Sequence, residues 1–376
     1  MLNKINNQVK INFKRNIFLV KYCQVVKMQL INKSIRELSE EAELRNLSEF
    51  AAKSSSSRGR GREEKPCPLR TCFQRDRDRI LYSGAFRRLK HKTQVFFSPD
   101  DDNYRTRMTH TLEVSQVSRT IAKALRLNEE LTEAIALGHD IGHTPFGHSG
   151  EAVLNELMDS GYKHNEQSVR VAEVIENLNL TKETLNGIYC HSYALEPAFT
   201  LEGQIVQLAD KIAYINHDFD DAVRARIIRP EDLPQDSIEY FSSDKNVRFT
   251  KMIYDIVETS YGQNFVKMSD ECFYHMKILR QWMFDNVYLG SAAKSEENKA
   301  QNIIKMLFEY YYNELQKKYP SSTDKALKRT VCDYISGMTD RYAIVKFKEI
   351  FLPTSLEYIK TDSFLNRMAL INGLAG

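Results

Sequence analysis

Residues 201–221 read LEGQIVQLADKIAYINHDFDD, and their spacing predicts a long amphipathic helix. Aliphatic side chains recur every three or four positions, as one face of an α-helix requires: Ile205, Leu208, Ile212 and Ile215. The opposite face carries Asp210, Tyr214 and Asp218 at positions i, i+4 and i+8. A polar stripe of this kind is as typical of a solvated helix surface as of a functional site, so both interpretations stay open at this point.

The same helical periodicity continues on both sides of this stretch. Apolar residues recur at helical spacing in three earlier segments: Ile80, Phe86 and Leu89; Val114, Val117, Ile121 and Leu125; Val169, Ala172 and Ile175. We expect helices over about 34–52 and 75–92, a helix capped by Asn165, and two or three more within 245–315. With only 15 Gly and 9 Pro in 376 residues, and no run of strand alternation, the chain is predicted to be an all-α bundle.

The net charge of +3 arises at the N-terminus. Residues 1–36 contain eight Lys or Arg and no acidic residue, which leaves 45 basic against 50 acidic residues from Glu37 onward. The excess of bases is therefore weak support for nucleic-acid binding by the folded body. The six cysteines are scattered without a CxxC pair, as expected in a reducing cytoplasm, and no apolar run approaches the ~18 residues that a membrane span needs.

Five of the nine histidines lie between His110 and His164, mixed with acidic residues. His110 shares a helical face with Val114 and Val117 and so points inward, where a lone histidine is more typical of a packed core than of a metal site. Residues 137–148 read LGHDIGHTPFGH, and their Gly and Pro residues end a helix there. Because packing does not explain three His and one Asp at a helix end, we interpret them as a site.

Four side chains from three predicted helices supply two imidazoles and two carboxylates: His110, His139, Asp140 and Asp210. This set of nitrogen and oxygen ligands suits Mn²⁺, Fe²⁺, Mg²⁺ or Zn²⁺ and leaves positions for water and substrate. A metal held in this way lowers the pKa of bound water and polarises a phosphoryl oxygen. Arg107, one turn before His110, and Lys211, next to Asp210, can neutralise a polyphosphate. The residues alone therefore predict a metal-dependent phosphohydrolase.

Several sequence motifs cover roughly residues 30–350 in a recognisable order. They are FQRDRDRI (73–80), AFRRL (85–89), KTQVF (92–96), YRTRMTH (104–110), GHDIGHTPFGHSGE (138–151), HNEQS (164–168), LEGQ through Asp218 (201–218) and CDYISGMTDRY (332–342). The ligand pattern resembles that of the HD superfamily. The whole set resembles, more closely, the deoxyguanosinetriphosphate triphosphohydrolase-like proteins of bacteria, whose sequences close on a motif similar to residues 332–342.

This resemblance implies hydrolysis of a deoxynucleoside triphosphate by water attack at the α-phosphorus, with release of deoxynucleoside and triphosphate. It implies that the metal is bound by His110, His139, Asp140 and Asp210. Catalysis is assigned to Asp210 and to His164, the second as general acid or base. Because His164 enters a helix, we expect the helix dipole to lower the pKa of its imidazole.

The resemblance also implies contacts to the substrate. Four residues match phosphate contacts: Arg107, His148, Lys211 and Tyr214. Gln94 and Asp218 match groups that hydrogen-bond the sugar 3′-hydroxyl. His143 and His191 stay open as supporting groups or as ligands of a second metal.

Two alternative functions stay open. An HD phosphodiesterase or nucleotidase acting on another phosphate ester would keep the four ligands but would not need Gln94 or the Lys211–Asp218 stripe. A non-catalytic nucleotide sensor or single-strand nucleic-acid binder would use the basic N-terminus and the RGRGR sequence at 58–62. The complete ligand set argues against this second alternative, since buried carboxylates without a metal are costly.

We predict an HD-domain helical bundle with additional C-terminal helices, in four regions. Residues 1–27 are expected to be a disordered or non-native extension, with Met28 as the start, and residues 28–65 an N-terminal helix followed by a flexible Ser/Arg/Gly loop. Residues 66–230 are expected to form the HD catalytic domain, and residues 231–376 a helical region packed on it. The resemblance further implies a homo-oligomer with a dNTP substrate. Activation by a second, allosteric nucleotide stays open.

Overall fold

The computed structural model describes residues 33–94, 104–192, 196–288, 293–353 and 363–374. Within these ranges the chain has no β-strand, only two isolated bridges, from Arg60 to Thr181 and from Thr93 to Thr106. The predicted all-α fold is confirmed. The expected extension, residues 1–27, lies outside the described residues.

The α-helices of the described residues are numbered here in chain order. The first eight are α1 (Ile35–Asn46), α2 (Cys72–Tyr82), α3 (Gly84–Arg88), α4 (Arg107–Ala124), α5 (Glu129–Gly138), α6 (Gly147–Leu157), α7 (His164–Arg170) and α8 (Lys182–Cys190). The others are α9 (Leu201–Arg224), α10 (Gln235–Phe241), α11 (Lys245–Ser260), α12 (Asp270–Met283), α13 (Ala293–Lys318), α14 (Asp324–Ser336), α15 (Asp340–Phe351) and α16 (Ser363–Ile371). Two helices run on into π-helical turns, α7 at Val171–Ile175 and α12 at Phe284–Tyr288.

The central helix is α9, which packs against α4, α5, α8, α11 and α12. Thr200 caps its N-terminus, where the side chain accepts a hydrogen bond from the backbone N–H of Gly203. The predicted apolar face is buried throughout: Ile205, Leu208, Ile212 and Ile215. Each aliphatic side chain of this kind contributes about 1.5–3 kcal/mol when it leaves water. The packing of that face therefore sets the orientation of the polar stripe on α9.

Helix α5 lies between two hydrophobic cores. Leu131 and Ile135 join the core that contains α4, α9, α11 and α12. Ala134 and Leu137 join the core that contains α6, α7, α13 and α14. Because α5 is buried on both sides, its C-terminal end and the following His139 are held where the two cores meet.

Two local predictions between residues 75 and 170 are wrong. The expected helix over 75–92 breaks at Ser83, whose backbone is extended and whose hydroxyl accepts a hydrogen bond from the N–H of Phe86. Asn165 does not cap α7, since Lys163 occupies the N-cap position. The Asn165 amide instead donates to the carbonyl oxygen of Tyr189 at 2.8 Å, and the backbone N–H of His164 donates to Glu151 at 2.9 Å. A carboxylate from another helix thus takes over the capping role.

The loop at 54–62, which the sequence predicts to be flexible, makes hydrogen bonds and ion pairs with acidic side chains of two helices. The backbone N–H of Arg58 and the hydroxyl of Ser57 both donate to Glu183, at 2.6 and 2.9 Å. Arg60 forms an ion pair with Asp76, whose side chain is fully buried. These contacts join the loop to α2 and α8. The N-terminal helix is also shorter than expected and ends at Asn46.

No helix in the described ranges combines the length and apolar character needed to cross a membrane.

Candidate functional site

Three helices bring the four predicted metal ligands together. His110 lies in the first turn of α4, His139 and Asp140 follow α5, and Asp210 lies on α9. The Nε2 atom of His110 is 3.0 Å from Oδ1 of Asp210. The Nε2 atom of His139 is 3.4 Å from Oδ1 of Asp140 and 3.9 Å from Oδ1 of Asp210. Two ligands bound to one ion at about 2.0–2.2 Å lie roughly 3–4 Å apart, so these separations suit a shared divalent cation.

The hydrogen bonding of His139 shows whether these side chains fit a bound metal. Its Nδ1 atom lies 2.6 Å from the carbonyl oxygen of Ala136, which fixes the proton on Nδ1 and leaves Nε2 as an acceptor. The Nε2 atom is buried and makes no hydrogen bond to the described residues. Such an acceptor is costly unless something satisfies it, and a cation does so. The residues present therefore fit a bound metal.

Both oxygens of Asp140 have close partners. Arg107 donates to Oδ2 at 2.8 Å, and Nδ1 of His143 lies 2.9 Å from Oδ1. Burial acts to raise the pKa of Asp140, but the nearby His139, His143 and Arg107 hold that pKa well below its usual range. Asp140 is thus a carboxylate, as a metal ligand must be. Arg107, the predicted phosphate contact, lies inside the site.

A cluster of imidazoles adjoins these ligands. The rings of His143 and His164 stack with centroids 3.9 Å apart, and Nε2 of His164 lies 3.1 Å from Nε2 of His191. Glu151 lies 3.0 Å from Nδ1 of His164. Ligand atoms of Asp140, His164 and His191 all lie within 4.8 Å of one another. His143 and His191, whose roles the sequence leaves open, therefore belong to the same site.

The expected lowering of the His164 pKa is wrong. Burial does act to lower it, but the hydrogen bond and the charge of Glu151 outweigh burial and raise the pKa above its ordinary value. The physical reason is proximity, because the Glu151 carboxylate lies 3.0 Å from Nδ1 of the ring.

The polar stripe of α9 faces the C-terminal helices. The hydroxyl of Tyr288 donates to Oδ2 of Asp218 at 2.7 Å, and Arg280 donates to the hydroxyl of Tyr214 at 2.8 Å. Oδ1 of Asp218 is buried and makes no hydrogen bond to the described residues. Burial raises the pKa of Asp218 to about 7 and lowers the pKa of Lys211 to about 8. Asp218 is buried and Asp210 and Tyr214 are half-buried, so this stripe is not a solvated surface.

Gln94 and His148, the two other predicted substrate contacts, differ in exposure. Gln94 is buried, and its Oε1 atom makes no hydrogen bond to the described residues. The side chain of His148 is 80% exposed, with Nδ1 3.5 Å from Glu151 and its ring 6.0 Å from that of His143. His148 thus lies where the imidazole cluster opens to solvent.

The RGRGR sequence at 58–62 is engaged within the fold. Arg60 pairs with Asp76, and Arg62 donates to Asn177. The guanidinium of Arg58 lies 3.8 Å from the centre of the Phe199 ring. These contacts weaken the interpretation of the segment as a nucleic-acid surface.

Three residues of the site were missed by sequence reasoning: Glu151, Arg280 and Tyr288. Glu151 closes the motif at 138–151, so its position was a usable signal. Arg280 and Tyr288 lie 66 and 70 positions from their partners on α9, and no motif marks them.

A helical fold that brings these His and Asp side chains together defines the class of HD-domain phosphohydrolases. The HD domain family matches residues 107–215, and the phosphohydrolase-associated domain matches residues 266–349. Three relatives are deoxyguanosinetriphosphate triphosphohydrolase-like proteins. That of Caldanaerobacter subterraneus subsp. tengcongensis is 56% identical over 328 residues, covering 85% of this chain and 96% of the relative. Those of Desulfatibacillum aliphaticivorans and Clostridium perfringens are 47% and 48% identical, each covering 86% of this chain and 99% of the relative. The chain belongs to this family of deoxyguanosinetriphosphate triphosphohydrolase-like proteins.

Proposed function

We propose that this protein hydrolyses deoxynucleoside triphosphates, such as dGTP, to deoxynucleoside and intact triphosphate. The observation that carries the proposal is the arrangement along α9. Asp210 lies at the ligand cluster, and Tyr214 and Asp218 follow about 6 and 12 Å further along the helix axis. The predicted metal ligands and the buried Asp218 carboxyl group thus lie within the length of one nucleotide.

His110, His139, Asp140 and Asp210 would hold the divalent cation. When bound, the cation supplies Lewis-acid polarisation of a phosphoryl oxygen and a water of lowered pKa. The donor set of two imidazoles and two carboxylates accommodates Mn²⁺, Mg²⁺, Fe²⁺ or Zn²⁺. Arg107, fixed against Asp140, keeps a guanidinium beside this cluster where the negative charge of a triphosphate would lie.

His164 would move the proton. In the proposed reaction, the water oxygen bonds to the α-phosphorus and the bond between that phosphorus and O5′ of the deoxyribose breaks. The departing O5′ needs a proton, and an imidazole whose pKa is raised above its ordinary value is suited to supply one. The carboxylate of Glu151 orients that imidazole and favours its protonated form.

The sugar would lie against Asp218 and Gln94. Each offers a buried oxygen without a hydrogen bond in the described residues, and such an oxygen gains a partner when a hydroxyl, which can both donate and accept, arrives. Tyr288 fixes the Asp218 carboxyl through the hydrogen bond to Oδ2. Lys211 and Tyr214, on the same helix, would contact the phosphates.

Product analysis tests the proposal. The protein is incubated with each dNTP and Mn²⁺ in H₂¹⁸O, the products are separated, and their masses are determined by mass spectrometry. We expect deoxynucleoside without label and triphosphate carrying one ¹⁸O atom. Release of pyrophosphate or orthophosphate instead would contradict the proposal and favour an HD phosphodiesterase or nucleotidase.

A further inference from the structure

The closing motif, residues 332–342, contains none of the predicted ligands or substrate contacts. It spans the end of α14 and the start of α15. Thr339 caps α15, and Asp340 follows it at the first helical position. An acidic residue there usually faces solvent, and the helix dipole stabilises its negative charge. The Asp340 side chain is instead buried, so its carboxylate serves partners within the fold.

Asp340 binds two separate segments at once. Its Oδ1 atom accepts a hydrogen bond from the backbone N–H of Phe146 at 2.9 Å. Its Oδ2 atom accepts from the backbone N–H of Thr93 at 2.9 Å and from the Thr93 hydroxyl. Phe146 has a left-handed backbone with φ of 61° and lies two residues before His148. Thr93 directly precedes Gln94.

Lys92 makes a second connection between the same elements. Its ammonium group is buried and donates to the carbonyl oxygen of Ser336 at 2.7 Å and to that of His143. The backbone carbonyl of Lys92 accepts from the N–H of Arg107 at 3.0 Å. One lysine therefore joins the closing motif, the loop after α5 and the start of α4.

The motif also reaches the helix of His164. Gln167, one turn further along α7, donates to Asp333 at 3.0 Å and to the hydroxyl of Ser336 at 3.1 Å. Arg170 forms an ion pair with the fully buried Asp333 at 2.6 Å. The motif thus contacts three segments that carry groups of the proposed active site, at 92–94, 143–148 and 164–170.

We infer that the closing motif is a positioning element, in which Asp340 is the positioning residue that holds the Thr93–Gln94 segment against the Phe146–His148 loop. The inference rests on the proposed function, because Gln94 and His148 gain their roles from it. Asp340 acts through Thr93 and Phe146 and touches no reacting atom. Displacing a substrate contact by about 1 Å can cost roughly 100-fold in rate, so the effect on turnover should be large.

The test compares Asp340→Asn with a matched carboxylate elsewhere. Asp255 also accepts from one residue's backbone N–H and hydroxyl, those of Ser269, at 2.9 and 2.6 Å, and it contacts no predicted site residue. An amide has one acceptor oxygen instead of two, so Asp340→Asn releases one of the two segments. We expect a 10–100-fold loss of kcat/KM on dGTP in Asp340→Asn and less than a twofold loss in Asp255→Asn.

A second measurement separates positioning from stability. The ratio of kcat/KM for dGTP to that for 2′,3′-dideoxy-GTP reports the contact with the 3′-hydroxyl. We expect this ratio to fall at least fivefold in Asp340→Asn and to stay at the wild-type value in Asp255→Asn, with unchanged Mn²⁺ stoichiometry in both. Thr93→Val, which removes one donor to Asp340, should lower the ratio, and Thr93→Ser should restore it.

Equal behaviour of Asp340→Asn and Asp255→Asn, with lower melting temperatures but a wild-type ratio and kcat/KM, would overturn the inference. Failure of the proposed function looks different, since the wild type itself would then release no triphosphate. In that case the same variants are compared on the product that the wild type does form. A tenfold loss confined to Asp340→Asn supports positioning, and equal losses overturn it.

Discussion

The Nε2 atoms of His164 and His191 lie 3.1 Å apart, so one of these nitrogens carries the hydrogen that joins them. Nδ1 of His191 lies 2.7 Å from the carbonyl oxygen of Ile188 and must carry a hydrogen, which leaves its Nε2 as the acceptor. Nδ1 of His164 faces Glu151 at 3.0 Å. His164 therefore holds hydrogens on both nitrogens, in agreement with its raised pKa, whereas burial lowers the pKa of His191 to about 3.

A protonated His164 is poised to act as a general acid. We expect His164→Ala to lower kcat by about 10²–10⁴-fold, the usual size of acid–base assistance, while metal content and dNTP affinity change little. Single-turnover rates, metal analysis and equilibrium dNTP binding measure the three quantities. Loss of the metal would make His164 a ligand, and an unchanged kcat would leave it without a catalytic part.

Glu151→Gln should move the pH profile in a defined direction. Glu151 raises the pKa of His164, so its removal lets burial lower that pKa. The limb of the kcat profile on which activity is lost with rising pH should then shift to lower pH. Glu166→Gln, an exposed change on the same helix, serves as the control and should leave the limb in place. A shift to higher pH in Glu151→Gln would contradict the assignment.

Asp210→Asn should abolish hydrolysis and weaken metal binding. A neutral amide is a poorer ligand than a carboxylate for a hard divalent ion. Titration of the variant with Mn²⁺ should show at least a tenfold weaker site, in parallel with the loss of triphosphate release. Asp220→Asn changes the same chemistry ten residues further along α9, where the carboxylate pairs with Lys245, and should keep both properties. Wild-type turnover with full metal content in Asp210→Asn would remove Asp210 from the site.

Gly142→Ala should damage both stability and turnover. A Cβ atom there would lie 2.2 Å from the nitrogen of Ser168 and 2.6 Å from the carbonyl oxygen of His164, and backbone atoms cannot yield as a side chain can. Overpacking of this kind costs about 1–3 kcal/mol or displaces the neighbouring helix, here α7 with His164. Thermal unfolding and kcat measure the two effects. Gly61→Ala, which meets only one atom at 3.9 Å, is the control.

Deletion of residues 1–27 should leave melting temperature and kcat unchanged. The extension lies outside the motifs and holds no predicted site residue. Differential scanning calorimetry and dNTP turnover of the shortened chain, beside the full chain, check this. A drop of several degrees would mean that the extension packs on the folded body.

Local periodicity predicted the fold well where one face is continuously apolar. Helix α9 follows its pattern from Leu201 to Arg224. The break at Ser83 could not be read in the same way, because Ile80 and Phe86 on either side remain in a helical register. The capping error at Asn165 has a nonlocal cause, since Tyr189 and Glu151 satisfy the groups concerned. The group that caps a helix is therefore decided by tertiary packing, and sequence periodicity carries no information about that packing.

The site was predictable to the extent that ligand chemistry is concentrated in the sequence. His139 and Asp140 are adjacent, and the other histidines beside them at a predicted helix end indicated a site. The protonation of His164 was not predictable, because it depends on Glu151, thirteen positions away on a different helix. The contacts of Asp218 and Tyr214 come from α12 and its π turn, which only tertiary packing brings to α9.

Asp218→Asn should stabilise the protein increasingly as pH rises. Burial raises the pKa of Asp218 to about 7, against an ordinary value of 3.8, so between these values the unfolded chain is ionised and the folded chain is protonated. Folding therefore takes up a proton, and stability falls as pH rises through this window and levels off above it. Asparagine mimics the neutral carboxyl and does not titrate, so the difference in melting temperature between variant and wild type should grow from pH 5.5 to pH 7.5, corresponding to roughly 1–2 kcal/mol. Asp324→Asn is the control, because hydrogen bonds from Tyr312 and Lys328 lower the pKa of Asp324. The difference in melting temperature between Asp324→Asn and the wild type should stay constant over this range. A difference for Asp218→Asn that is equally flat would mean that Asp218 is ionised in the folded protein throughout.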